Sequence, residues 1–320
     1  MERKTVRELQ DKDAVDAVFL VKEKTVGFGK NGRSFMSLVL GDQTGAIDGR
    51  LWDRVEELNR EFDAGDVIKI KGLVQLFQNR KQLIIHRIEK TETGAYSAND
   101  FIPVSNKNVD DMFAELLVIV RSMKSDPLRQ LTLDVIEDPE IKPMFMQAPA
   151  AKTIHHAWRG GLLEHVLSIC KILNFLASHY NFMNRDLLIF GGIFHDIGKV
   201  WELSYEDSVT YTDKGRLLGH MLLACELVDK KAGKILGFSD ELKDLCKHMI
   251  LSHHGRLDYG SPKRPKFMEA VLVAMVDDLD SKMNTIQTFI EGERNIGEKW
   301  SRYNELFDRY FLLDDLKDRF

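Results

Sequence analysis

The chain has 320 residues, long enough for two domains with a substantial core, and its 44% hydrophobic and 30% charged residues are ordinary for a globular protein. No run is long and apolar enough to span a bilayer, and the charged stretch from Met1 to Gln10 is no secretory signal, so the expectation is a cytoplasmic protein without a membrane partner. The net charge of −5 excludes little. Residues 1–90 carry 17 Lys+Arg against 15 Asp+Glu and the remainder 28 against 35, and a site that meets phosphate through metal ions needs no strongly basic surface. Cys170, Cys225 and Cys246 lie far apart with no CxxC pair and read as reduced core thiols.

In chain order, residues 15–26 are β-rich and 34–40 alternate around Phe35, Met36 and Leu38, ending in the turn Gly41-Asp42-Gln43-Thr44-Gly45. Residues 46–52 make a third strand and 54–62 an amphipathic helix. Residues 66–77 alternate again, and 81–88 close the set after an Asn79-Arg80 turn. Five strands with a helix between the third and fourth is the order of an OB barrel. Ser37 to Gly45, Ile47, Leu51-Trp52, Gly65-Asp66-Val67 and Lys71-Gly72 resemble the OB-fold of the tRNA-anticodon-binding type. That resemblance implies capture of single strands on aromatics in a basic groove. The candidates are Phe28, Phe35, Trp52 and Phe77 with Lys30, Arg33, Arg50, Arg80 and Lys81, set against the alternative that many of these aromatics are barrel core.

Gly94, Ser97, Asn99, Pro103, Ser105, Asn106 and Asn108 mark 93–109 as a linker after a barrel domain of 1–92. From Asp110 the spacing of Met112, Phe113, Leu116, Leu117 and Val120 is helical. Helical stretches continue to Phe320, which makes 110–320 a second, all-α domain. Trp300, Tyr303, Leu306, Phe307, Tyr310, Phe311, Leu312 and Leu316 form an apolar stripe that packs on its own domain or on another copy in a homo-oligomer.

Nine of the ten histidines fall between His155 and His254. His165 sits among Leu162, Leu163, Val166 and Leu167. His195-Asp196 follow the apolar run 187–194 and precede Ile197-Gly198, where glycine permits a sharp helix end. His220 lies in a further helix, His253-His254 precede Gly255, and Asp277 follows the apolar run 271–276. Each of these groups is costly to bury alone, and each has an ordinary explanation alone. Taken together, imidazoles and carboxylates on separate apolar helices are satisfied by one shared site for divalent ions such as Mn, Fe, Co, Ni or Zn.

The order His165, His195-Asp196, Asp277 resembles the signature of the HD phosphohydrolase superfamily, and His220 with His253-His254 resembles its two-metal subset. With an OB domain in front, and with Gly160-Gly161-Leu162-Leu163-Glu164-His165, Leu217-Leu218-Gly219-His220, Leu251-Ser252-His253-His254-Gly255 and Gly260-Ser261-Pro262, the chain resembles the YhaM family of 3′→5′ exoribonucleases. The resemblance implies two divalent ions, manganese favoured. His165, His195, Asp196 and Asp277 would hold one, and His220, His253 and His254 would complete the other across a bridging Asp196. It also implies hydrolysis of single-stranded RNA, or of single-stranded DNA, from the 3′ end. Asp196 and Lys199 would be catalytic, with Lys199 on the scissile phosphate. Arg159 and the basic turn with Lys263, Arg264 and Lys266 would hold the backbone. Two rivals remain open: an HD-type nucleotide phosphohydrolase or cyclic-dinucleotide phosphodiesterase, and a non-catalytic single-strand-binding protein. The barrel argues against the first and the full ligand set against the second.

Overall fold

The computed structural model describes residues 4–29, 32–77, 80–91, 101, 105, 107–151, 158–205, 209–294 and 299–314. Two compact units divide the chain: one holds Met1–Pro103 and Ile286–Phe320, the other Val104–Tyr205 and Val209–Thr285.

In the first unit, alternation puts Val15, Ala17, Phe19 and Val21 inward along β1 (Ala14–Phe28). This strand pairs antiparallel with both β2 (Ser34–Asp42) and β4 (Val67–Phe77). β3 (Gly45–Leu51) pairs antiparallel with β2 and parallel with β5 (Arg80–Lys90), which closes the barrel in the order β1-β2-β3-β5-β4 and leaves no open edge. Asp42 is buried at the β2–β3 turn. Its Oδ1 accepts from the Thr44 amide at 2.7 Å and its Oδ2 from the Val6 amide at 2.6 Å, so the turn also fastens the N-terminal segment.

The helix expected over 54–62 is only α1 (Val55–Leu58). Arg54 enters it in the left-handed region, at φ 52°, and the chain then tightens through Arg60 N–H to Glu57 O and Glu61 N–H to Leu58 O. Those shorter-range bonds end the α-helix and turn Phe62 into the barrel core. Asn79 lies outside the described residues, and Arg80 is the first residue of β5, opposite Phe77.

The expectation of helices to the C-terminus is corrected. Residues 299–314 contain antiparallel bridges Trp300↔Leu312 and Asn304↔Arg309, with Asp308 at φ 54° in the turn between them. Aromatic pairs across this hairpin, such as Tyr303–Tyr310 at 5.3 Å, are strand chemistry rather than helix chemistry. The hairpin belongs to the barrel's unit, where Arg80 Nη2 also meets Glu293 Oε2 at 3.0 Å. The compact helical unit therefore stops at Thr285, short of the expected 320. Of the expected linker, only Phe101, Ser105 and Lys107 to Val109 are among the described residues.

The second unit is helical: α2 (Val109–Arg121), α3 (Asp126–Ile136), α4 (Ile141–Gln147), α5 (Gly161–His179), α6 (Arg185–Phe194), α7 (Lys199–Glu202), α8 (Asp213–Ala232), α9 (Asp240–Ser252) and the first part of α10 (Met268–Glu293). A short unforeseen hairpin, β6 (Leu203–Ser204) with β7 (Thr210–Tyr211), follows α7. Side-chain caps start several helices: Asn108 accepts from Asp110 and Asp111 amides, and Asn184 from Asp186 and Leu187 amides. α5 is long and apolar enough by composition to cross a membrane, but Leu162, Leu163, Val166, Ile169 and Leu173 are fully buried in the helical core. The three cysteines are buried and free, and burial pushes their thiols up, Cys225 to about 11.

Candidate metal centre

Three helices and two helix ends deliver the polar groups. α5 carries His165, the C-terminal end of α6 carries His195 and then Asp196, α8 carries His220, the end of α9 carries His253 and His254, and α10 carries Asp277. Gly198 is not a left-handed helix end, as its place in the sequence suggests. Its φ is −64°, and a Cβ there would lie 2.0 Å from the His220 carbonyl oxygen. Glycine is required because the backbone after Asp196 passes directly against α8. Within α8, Gly219 breaks the helix at φ 73°, ψ 157°, a conformation essentially reserved for glycine, and the chain resumes helically at His220.

The ligand-type atoms gather in two groups: His165, His195 and Asp277 in one, and His220, His253 and His254 in the other, with the atoms of each within 4.8 Å of one another. Asp196 lies between them with one oxygen toward each. Its Oδ2 is 3.4 Å from His195 Nε2 and 3.7 Å from His165 Nε2, and its Oδ1 is 3.5 Å from His220 Nε2 and 3.7 Å from His253 Nε2.

The donor chemistry fits divalent ions. Every one of the five histidines has its Nδ1 on a fixed acceptor. His165 meets Asp280 Oδ2 at 2.8 Å, His195 meets Gly192 O at 3.0 Å, and His220 meets Glu202 Oε1 at 3.0 Å. His253 meets Ile250 O and His254 meets Tyr259 O, both at 2.7 Å. An Nδ1 that donates leaves Nε2 as a bare lone pair, the form a metal takes. The Nε2 atoms of His165 and His195 face each other at 3.3 Å, an arrangement that two lone pairs accept only with a cation or proton between them. Asp196 Oδ1, His220 Nε2 and His253 Nε2 are buried with no hydrogen-bond partner among the described residues, a cost that an ion on that side removes.

Electrostatics follow the same pattern. Burial opposes charge on His165, but Asp277 and Asp280 outweigh it and raise its pKa to about 9. Burial also opposes ionisation of Asp196 and Asp277; Lys199 and the histidines beside Asp196, and His165 and other histidines beside Asp277, nevertheless hold both carboxyls below the usual range. His253 is held well below its ordinary value, by burial and then by His195, and His254 is lowered by burial. Lys199 Nζ sits 2.6 Å from Asp196 Oδ2, and that pairing outweighs its burial to raise its pKa. A cleft of about 460 Å³ opens onto the centre, lined among others by Asp196, Lys199, His253, His254, Tyr259 and Asp277.

Two residues that the sequence reading did not assign are built into this centre. Asp280 joins His165 to the Ser168 hydroxyl, which donates to its other oxygen. Its signal was available: it lies one helical turn beyond Asp277. Glu202 accepts from both the main-chain N–H and the Nδ1 of His220, the first residue after the Gly219 break. Nothing local in the sequence marks it.

The nucleic-acid candidates divide. Phe28, Trp52 and Phe77 are 76%, 56% and 60% exposed, so they are not barrel core. Phe35 is half-buried, 5.1 Å from Trp52, with the Arg50 guanidinium 5.2 Å over its ring. Phe28 and Phe77 end β1 and β4, and Phe35 and Trp52 lie where β2 and β3 pair, the strands and loops through which OB barrels take up oligonucleotides. Arg33 is exposed and Lys30 lies outside the described residues, as do His155 and His156. Arg159 is half-buried and donates to the Tyr205 carbonyl at 3.3 Å. Lys263 and Arg264 are exposed and are not among the residues lining the cleft.

Fold and site together define an HD-domain protein preceded by a nucleic-acid-binding barrel. Residues 162–282 match the HD domain family and 18–91 the OB-fold nucleic acid binding domain family. The chain is 35% identical over 300 residues to the 3′-5′ exoribonuclease YhaM of Geobacillus sp., covering 93% of this chain and 91% of that one. It is 34% identical over 304 residues to the protein of that name in Listeria monocytogenes (95% and 94%), and 33% identical over 280 residues to that of Halalkalibacterium halodurans (87% of each). The chain belongs to the YhaM 3′-5′ exoribonuclease family. Divalent-metal binding goes with its HD domain, and the two His/Asp groups are where this chain would hold it.

Proposed function

We propose that this protein is a 3′→5′ exoribonuclease that removes nucleotides from single-stranded RNA with two divalent ions, manganese first among them. The observation that carries the reading is Asp196, whose two oxygens face two separate ligand groups at one end of a cleft. The exoribonuclease name of relatives that align over both domains supports the substrate class.

His165, His195, Asp196 and Asp277 would hold one ion, and Asp196, His220, His253 and His254 the other. Such ions supply a polarised water and neutralise the phosphate oxygens. The chain's own residues do the rest. The Nδ1 acceptors fix each imidazole in one tautomer and orientation. Lys199 stays protonated beside Asp196 and presents a fixed positive charge in the cleft, where the scissile phosphate must lie. Phe28, Phe35, Trp52 and Arg50 offer the strand a sequence-tolerant stacking surface.

The test is a time course on 5′-labelled single-stranded RNA with metal-stripped protein, with and without added Mn. A ladder that shortens from the 3′ end only with metal, and is abolished by His195→Ala, is the expected result. Intact RNA with the metal-loaded protein would overturn the reading.

A further inference from the structure

Tyr259 is an aromatic residue lining the cleft at the candidate metal centre. It is 58% exposed, yet it lines the same cleft as Asp196, Lys199 and Asp277. It ends the short turn Leu257–Tyr259, set between Gly255 and Gly260, both in the left-handed region at φ 74° and 87°. The Arg256 guanidinium lies over its ring, 5.7 Å from the centroid, a cation–π contact that favours this placement of the ring. Its carbonyl accepts the His254 Nδ1 proton at 2.7 Å, so the residue that holds the ring also orients a ligand histidine. The main chain that carries the ring is thereby tied to the candidate metal centre.

We propose that Tyr259 is the stacking platform for the 3′-terminal base of the RNA, and that the cleft is a subsite for that one nucleotide. The inference rests on the exoribonuclease reading. Stacking suits an enzyme that must accept any terminal residue, because every base has a π-face. A base seated on the free face of Tyr259 leaves its sugar and phosphate directed into the cleft toward Asp196, Lys199 and Asp277. The turn then serves as a gauge: the base is measured from the ring, and the bond to be cut is set by the distance from ring to His254.

The experiment compares two RNA oligonucleotides, identical except that one carries an abasic residue at its 3′ end, with wild type, Tyr259→Ala and Tyr259→Trp. First-turnover rates at subsaturating RNA report the terminal nucleotide alone. Wild type should cleave the base-bearing end about 5- to 150-fold faster, the range of a single base–aromatic stack. Tyr259→Ala should bring the two ends close to equal, and Tyr259→Trp should restore the preference. Bound metal, measured by elemental analysis, should be the same in all three proteins, because the His254 contact is made by the main chain. A preference retained in Tyr259→Ala, or absent from wild type that shortens both strands, sinks the inference alone. Wild type that shortens neither strand sinks the exoribonuclease reading and this inference with it.

Discussion

His165 illustrates how a buried residue is made ready for a cation. Its Nδ1 is on Asp280, its Nε2 is 3.2 Å from Asp277 Oδ1, and those carboxylates outweigh burial to bring its pKa to about 9. In the metal-free protein the folded-state value lies above the ordinary 6.5, so the charged ring contributes stability that is full below 6.5 and is lost as pH rises through about 9. Ligation needs the neutral ring, so protons compete with metal over the same window. Apparent metal affinity at the His165, His195 and Asp277 group should therefore climb between pH 6.5 and 9 and level off above it, as read by calorimetric titration. Asp280→Asn removes one of the raising carboxylates; it should shift the plateau to lower pH and weaken affinity there about 10- to 100-fold. An affinity flat across this range would show that His165 is not a ligand. Residue identity made the candidate ligands legible in the sequence, because imidazoles and carboxylates on apolar helices need partners. Glu202 was not legible, because its role depends on which turn of α8 it faces.

At the scale of elements, the positions of five strands and of the helical stretches that carry the candidate ligands followed from alternation and spacing, and the departures have local causes. α1 is cut short by the left-handed entry at Arg54 and the tightened bonds after it. Gly198 looks in sequence like a helix stop and is instead a contact point, since the requirement comes from the His220 carbonyl on another helix. The break at Gly219 is the most consequential of these features. A Cβ there meets nothing closer than Glu202 Oε1 at 3.9 Å, so the obstacle to a side chain is conformational rather than steric. Gly219→Ala should cost about 1–3 kcal/mol in chemical denaturation and should displace His220 from Glu202. If stability and metal content both match wild type, α8 does not depend on that break.

For the whole molecule, the barrel aromatics and the candidate metal centre are on separate units, so their proposed roles can be tested separately. Trp52→Ala should weaken binding of single-stranded RNA about 5- to 150-fold while hydrolysis of a small aryl phosphodiester stays unchanged. Equal losses on both substrates would mean that Trp52 serves only the barrel's structure. A point substitution is the right instrument, because removing 1–92 would strip Ile286–Phe320 of the unit it packs with. That grouping was beyond the reach of sequence patterns, which report neighbours along the chain, whereas Arg80 and Glu293 stand 213 residues apart. The same pair orders events during synthesis. The barrel strands are all made by Lys90, yet the barrel's unit cannot be finished on the ribosome until the entire helical unit has emerged, so each new chain can assemble its His/Asp cluster before the barrel's unit is whole.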